Sequence, residues 1–235
     1  MKIECVWEHN GGDSILYAEN VVGAYTRGAS KEEALLKMPE EIRRFLLWRG
    51  DTPPESFDVE IVQEKSSDLQ IRDADSDVMF VSEEKPLSAE EYLHLKSLAL
   101  RSAADFNALY MSFPDKNRSV LPPRKTFYGP VPRTAEEMYL HTKNVNGYYF
   151  SEIGAEADNE GTIVSCRTRG FEALEAVPNY LSLAPVTGSY DERWSVRKVL
   201  RRFIWHDRIH AKAMYRMGKL TFGADAIPDV FGFAR

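Results

Sequence analysis

The stretch SVRKVLRRFIWHDRIHAKAMYRMG, residues 195–218, decides the fold and the candidate site of this chain. Its apolar positions recur at alternating steps of three and four, a spacing typical of the seam of a helix in a bundle. The seam consists of Val196, Val199, Phe203, His206, His210, Ala213 and Met217. Two histidines thus fall on the stripe that we expect to be buried. The opposite surface, which we expect to be solvated or paired with the acidic N-terminal part, carries Arg197, Lys198, Arg201, Arg202, Arg208, Lys212, Arg216 and Lys219.

Three further helical stretches precede this one. The first is expected from Ala89 to Phe113, and the second follows a capping box at residues 134–137 and carries His141 on its apolar stripe. The third, Gly170 to Leu183, is weaker because Pro178 interrupts it. The four stretches predict an up-down four-helix bundle over residues 87–220, followed by a C-terminal tail at 221–235.

The first 65 residues have a different period. Polar and apolar residues alternate in a way that predicts strands over residues 2–8, 14–19 and 57–62. Ser30 and Glu33 form a capping box for a helix that is expected to reach about Trp48, with a kink or an early break at Pro39. The whole chain is therefore predicted to be α+β, with a small antiparallel sheet and one helix in its N-terminal part.

Residues 66–86 are polar and acidic and are predicted to be a linker between the two parts. The one apolar patch in this stretch, residues 78–81, is expected to form an edge strand. A boundary at each end of this stretch gives units at residues 1–65 and 87–220.

Composition limits the classes of function. The formal net charge of −6 argues against nucleic acid as the main partner, and no run of about 18 apolar residues exists to span a membrane. Charged residues near Met1 replace the apolar core of a signal peptide, which predicts a cytoplasmic protein. Two distant cysteines, Cys5 and Cys166, indicate neither a disulfide framework nor a cysteine zinc site.

Histidines on bundle seams indicate a metal site. A buried imidazole needs partners for two nitrogens, and an apolar seam offers few. His206 and His210 lie one helical turn apart, so both rings reach one ion, and His141 on a facing helix completes a three-histidine set. Imidazole ligands favour zinc, nickel, copper or ferrous iron, and we expect zinc or nickel. His9 and His94 are expected at the surface, and Asp207 is a candidate to support a ligating ring.

The motifs in residues 87–220 resemble the DinB-like superfamily of four-helix bundles, also called YfiT-like metal-dependent proteins. The resemblance rests on residues 137–141, EMYLH, and on the last helix with WHDRIH at 205–210. It implies that the metal ligands are His141, His206 and His210. The long loop from Pro114 to Arg133 departs from compact members of the superfamily and leaves the shape of the pocket open. Residues 24–35, AYTRGASKEEAL, resemble the helix entry of the HicB-like fold, whose antitoxin role we do not carry over.

Three functions follow from the DinB-like resemblance. The first is a transferase or isomerase that uses the metal to activate a low-molecular-weight thiol. The second is a metal-dependent hydrolase, and the third is a non-enzymatic metal-binding or protein-interaction module. The expected partner is a small-molecule substrate rather than nucleic acid or a membrane, and a homodimer is left open.

Overall fold

The computed structural model describes residues 1–126 and 129–234 and shows a mixed α and β architecture. One sheet contains β1 (Lys2–His9), β2 (Ser14–Ala18), β3 (Tyr25–Gly28) and β4 (Asp58–Ser66), in the order β3-β2-β1-β4. β2 runs antiparallel to both β1 and β3, but β4 runs parallel to β1. The predicted antiparallel sheet is therefore wrong at β4. The cause is helix α1 (Lys31–Arg49), which carries the chain across the sheet so that β4 starts at the same end as β1.

Helix α1 begins as predicted and continues through its proline. The Ser30 hydroxyl accepts a hydrogen bond from the Glu33 amide, which satisfies one of the free donors of the first turn. The expected break at Pro39 is wrong, since the helix runs on to Arg49. Its buried face, which includes Met38, Ile42 and Phe45, packs on both sides of the proline and keeps the helix together. Gly50 ends it in a left-handed conformation, with φ 94°.

Four long helices make up most of the rest of the described chain. They are α2 (Ala89–Met111), α3 (Ala135–Ser151), α4 (Ile163–Glu175) and α5 (Val196–Phe222). α2 and α3 each pack against α4 and α5, and they also contact one another. Two short strand pairs lie between them, Lys125–Thr126 with Gly129–Pro130 and Val186–Thr187 with Arg193–Trp194. Among the described residues, no helix combines the length and the apolar character that crossing a membrane requires.

The third helix differs from its prediction. It was expected at residues 170–183 but occupies Ile163–Glu175, with a separate helical turn at Tyr180–Ser182. Thr162 starts it early, because its hydroxyl accepts from the Ser165 amide. It ends before Pro178, whose ring disfavours a helical conformation at the preceding residue. The last helix, α5, also runs four residues beyond the expected end at Gly218.

The segment between the sheet and α2 is packed rather than extended. Residues 78–81 do not form the expected edge strand; Val81–Glu84 is a 3-10 turn. Val78 and Phe80 are buried instead against Trp205 of α5 and the sheet residue Tyr17. An apolar patch followed by a capped turn therefore buries its side chains without a strand ladder.

The basic surface of α5 is mostly buried, so the expected solvation is wrong for Lys198, Arg201, Arg202 and Arg208. The sheet, α1 and the segment 66–86 cover this surface and supply acidic partners. Arg201 pairs with Glu83 and Arg208 with Glu41, as expected for pairing with the N-terminal part. Lys198 and Arg202 share a third carboxylate, that of Glu192. α5 is consequently buried around most of its circumference.

Apolar contacts also join the two halves. One core cluster contains side chains of the sheet and α1 together with side chains of all four long helices. The residues predicted as a C-terminal tail contribute Ile227, Phe231 and Phe233 to it, and the Phe231 ring stacks on Trp48 of α1. The division into units at 1–65 and 87–220 stays a prediction, and α5 is the element that both parts contact.

Candidate metal centre

The last helix presents His206 and His210 one turn apart. Ser195 starts α5 by accepting from the Lys198 amide, which fixes the rotation of the seam at its N-terminal end. His206 is 7% exposed and its Nδ1 has no hydrogen-bond partner within the described part of the chain. A buried imidazole nitrogen without a partner is costly, and a bound ligand would remove that cost.

The third ring comes from α3. Thr134 and Glu137 form a reciprocal capping box that starts this helix two turns before His141. The ring centroid of His141 lies 5.2 Å from that of His206 and 4.5 Å from that of His210, and the last two are 4.4 Å apart. One nitrogen from each ring lies within 4.8 Å of the others. The structure thus brings the three predicted histidines together, and metal ligation by them stays a prediction.

The three histidines differ in how far they are buried. His206 is buried, His210 is half-buried and His141 is exposed. His141 is therefore the member of the cluster that is most accessible to solvent.

The environment keeps the rings neutral. Burial, followed by the nearby charges of His210 and His141, lowers the pKa of His206 well below its usual value. Burial and the charge of His141 lower the pKa of His210 to about 3, and burial lowers that of His141. A metal ion binds the deprotonated imidazole, so these shifts leave the ligand form populated at neutral pH.

Aromatic rings and unpartnered donors line the inner side of the cluster. The Tyr149 and Trp205 rings lie 6.0 and 6.2 Å from the ring of His206. Arg202, one turn before His206, lies over both rings with its guanidinium carbon 5.5 Å from each centroid. Within the described residues, the buried Nε of Arg202 and Nε1 of Trp205 have no hydrogen-bond acceptor. The charge of Arg202 is already compensated by the Glu192 carboxylate, so this side combines aromatic rings with a closed ion pair.

Asp207 has a structural role that differs from the expected support of a ligating ring. Its buried carboxylate accepts hydrogen bonds from both terminal nitrogens of Arg167 on α4, at 3.2 Å each, and from the Ser102 hydroxyl on α2, at 2.6 Å. The pair ties α5 to two other helices. The sequence analysis did not identify Arg167. This residue lies before the expected start of the third helix, so its position gave no sign that it would be buried.

Two further acidic side chains of the helices have hydrogen-bond partners other than the histidines. Asp105 accepts from the Trp48 indole at 2.8 Å, and Glu152 accepts from the Ser189 amide at 2.9 Å. His94 is exposed, as predicted. His9 is half-buried, because it stacks on Trp7 and contacts Glu64.

Comparison with known proteins gave no match: no family model, no curated protein and no solved structure matches this chain. The resemblances to the DinB-like and HicB-like groups therefore rest on the quoted motifs alone. The case for a function rests on the geometry of the three histidines.

Proposed function

We propose that the protein is a DinB-like metalloprotein that holds zinc or nickel on His141, His206 and His210 and uses it to activate a low-molecular-weight thiol for transfer or isomerisation. One observation carries the proposal. Three imidazole nitrogens from two helices lie within 4.8 Å of one another, and one of the rings has an unpartnered buried nitrogen. We further propose that α2 to α5 form the up-down bundle of this superfamily and that the N-terminal part is its HicB-like companion.

The donor set suits the proposed ion. Three neutral imidazoles are ligands for zinc or nickel rather than for magnesium or calcium, and three protein ligands leave a coordination position open. A divalent ion in such a position lowers the pKa of a thiol that binds it, which makes the thiol a nucleophile at neutral pH. The exposed side of His141 is where that thiol would enter.

The surrounding residues orient the ligands and exclude water. His206 is 7% exposed and lies with its ring 6.0 Å from that of Tyr149, and this burial limits the orientations open to the ring. The buried pair of Arg167 and Asp207 holds α5 at the level of the two histidines, and the Arg167 guanidinium stacks on Phe203 at 3.8 Å. A rigid inner wall and an accessible outer side are what a site that binds small molecules at an ion requires.

The first test is metal content. Protein purified without added metal should contain about one zinc or nickel ion per chain by elemental analysis, and the His206→Ala, His210→Ala double variant should contain none. His94→Ala is the matched control, because it removes an exposed histidine from another helix. Unchanged metal content in the double variant would show that the three histidines are not the metal ligands.

The second test separates thiol chemistry from the other functions. A cobalt-substituted protein should show a visible spectrum that changes when a small thiol is added. A spectrum that does not respond to thiols would leave a metal-binding protein and remove the thiol-dependent activity. Hydrolysis of test esters or amides without any thiol would favour the hydrolase.

A further inference from the structure

A cleft with a volume of about 940 Å³ lies between α1 and the C-terminal half of α5. All four residues of β3 belong to its lining. The lining residues that the structure describes do not include the three histidines, which come together between α3 and α5. The cleft is therefore a surface separate from the candidate metal centre.

The strand in this cleft, β3, is an edge of the sheet. Within the described chain, β2 pairs with one side of β3 and no strand pairs with the other. The Ala24 carbonyl accepts from Ala18 of β2, whereas the Arg27 carbonyl accepts from Lys37 of α1. Because the backbone groups of successive residues point to opposite sides of a strand, the amides of Tyr25 and Arg27 point away from β2. Such an unpaired edge is a template for one more strand.

Basic side chains dominate the cleft, although the chain as a whole is acidic. The lining contains six basic residues, Arg27, Lys37, Arg44, Lys212, Arg216 and Lys219, and three acidic ones, Asp13, Glu40 and Glu41. Glu40 and Glu41 are already paired with cations. In the part of the chain that the structure describes, Arg216 and Lys219 form no ion pair; the first is exposed and the second lies over the Tyr215 ring. The wall that α5 forms is therefore positive, which raises the local concentration of anionic groups.

The side chains of β3 show which walls an added strand would meet. The Tyr25 ring packs against Trp205 of α5, with centroids 6.4 Å apart, while the Thr26 hydroxyl donates to the Ala34 carbonyl of α1 at 2.7 Å. Successive side chains of an added strand would alternate in the same way. Every second one would face the basic wall of α5, and the others would face α1, whose cations in the cleft are already paired.

We propose that an acidic, extended segment of a partner protein adds to the free edge of β3 and lies in this cleft, with an acidic residue at every second position toward Arg216 and Lys219. Backbone pairing supplies the affinity and the charge pattern supplies the specificity. Leu220, which is 68% exposed in the same cleft, offers the segment an apolar contact. The same cations oppose pairing between two copies of this edge, since like charges would meet. The interaction does not depend on a metal ion.

Two short synthetic peptides with blocked ends test the charge requirement. One alternates glutamate and threonine, and the other has glutamine in place of each glutamate. Fluorescence anisotropy with the full-length protein should show that the acidic peptide binds and that salt weakens its binding. The glutamine peptide should bind at least about tenfold more weakly, because it lacks the charges that complement the wall of α5. Equal affinity for the two peptides would overturn the proposal.

Amide hydrogen exchange tests the strand pairing. The amides of Tyr25 and Arg27 should exchange more slowly when the acidic peptide is bound, because the added strand accepts hydrogen bonds on that side of β3. The amides of Thr26 and Gly28 are the internal controls, since they point to β2 and should keep their exchange rates. Binding of the peptide without slower exchange at Tyr25 and Arg27 would show that it does not extend the sheet.

A double variant tests the basic wall. Arg216→Gln with Lys219→Gln should weaken binding of the acidic peptide by about fivefold, the combined effect of two exposed charge pairs. The matched control is Arg118→Gln with Lys125→Gln, which also removes two positive charges from exposed residues but does not touch the lining of the cleft. Equal affinities of the two double variants for the peptide would contradict the assigned role of α5.

Inorganic pyrophosphate distinguishes a strand from a small anion. It should displace the acidic peptide only at concentrations where other salts do so by screening. If pyrophosphate binds more tightly than the peptide and loses affinity in the variant with Arg216→Gln and Lys219→Gln, the cleft is a site for small anions and the proposed partner is wrong.

Discussion

At the scale of single residues, the ion pair of Glu41 and Arg208 is a fully buried contact between the two halves. Both side chains are almost fully buried, and the Arg208 guanidinium also lies between the rings of Phe45 and Phe233. A buried charge that loses its partner is strongly destabilising, because no water replaces the lost contact. The pair therefore makes the placement of α1 on α5 sensitive to single substitutions.

We predict that Glu41→Gln lowers the free energy of unfolding by about 3 to 5 kcal/mol, the usual cost of an unpaired buried charge. The control is Glu40→Gln, one residue earlier, which removes an exposed partner of Arg44 and should cost less than about 1 kcal/mol. Urea unfolding of both variants measures the difference. Equal losses in the two variants would mean that the Arg208 charge is solvated in the folded protein.

The three histidines predict how stability depends on pH. The pKa of His210 is lowered to about 3 in the folded protein, against about 6.5 in an unfolded chain. Between these values the unfolded chain binds more protons than the folded one, so the metal-free protein should lose stability as pH falls below about 6.5. The slope for one such group is at most about 1.4 kcal/mol per pH unit.

Urea midpoints of chelated protein at pH 7.5, 6 and 5 test this expectation. His210→Gln should show a shallower loss between pH 6.5 and 5, because one group that titrates differently in the two states has been removed. His94→Gln is the control and should keep the slope of the wild type. A slope that is independent of His210 would show that this ring is protonated alike in both states.

At the scale of elements, periodicity predicted what depends on one segment alone. The cap at Ser195 and most of the seam of α5 are local properties, and the structure has them where the sequence indicated. The buried stripe is wrong at His141 and Ala213, which are both exposed. The basic surface of α5 was predicted to be solvated because it is charged. Its burial depends on Glu41 and Glu83, which lie more than 100 residues away and which no periodicity connects to it.

The predictions of the direction of β4 and of the position of α4 were wrong for similar reasons. A strand pattern does not state which neighbour the strand pairs with, and the parallel pairing with β1 follows from the crossover through α1. Residues 163–169 include Ser165, Thr168 and two arginines, which resemble a loop by composition. They are helical because Thr162 caps the first turn and because Arg167 forms a buried ion pair with Asp207.

The contact between α3 and α4 has a test in Gly170. A Cβ atom at this position would lie 2.1 Å from the Phe150 ring, so Gly170→Ala forces the two helices apart or turns the ring. We predict a loss of about 1 to 3 kcal/mol, in spite of the higher helix propensity of alanine. Gly12→Ala is the control, since its Cβ would meet only a side-chain oxygen at 3.6 Å. A Gly170→Ala protein as stable as the wild type would mean that the α3–α4 contact is loosely packed.

At the scale of the whole molecule, α5 joins parts that the sequence indicated as separate units. Its histidines face α3, its Asp207 binds α2 and α4, and its arginines bind the segment 66–86 and α1. The same helix thus carries two of the three candidate metal ligands and the buried arginines that pair with the N-terminal part. A substitution that shifts α5 at its interface with the N-terminal part would therefore also shift His206 and His210.

Two separate units at residues 1–65 and 87–220 would unfold differently from two parts that both depend on α5, and one experiment distinguishes the two cases. Separate units predict cleavage by a protease between Glu64 and Pro86, with both products remaining folded. The buried pairs Glu41–Arg208 and Glu83–Arg201 predict instead that the full chain unfolds in one transition, since each half would leave charges unpaired without the other. We expect the second behaviour. Fluorescence of the buried tryptophans and circular dichroism of the helices should then give the same urea midpoint, and Glu41→Gln should shift both equally. An unfolding curve with two phases, of which Glu41→Gln moves only one, would show that the halves fold independently and that the contacts on α5 form between units that are already stable.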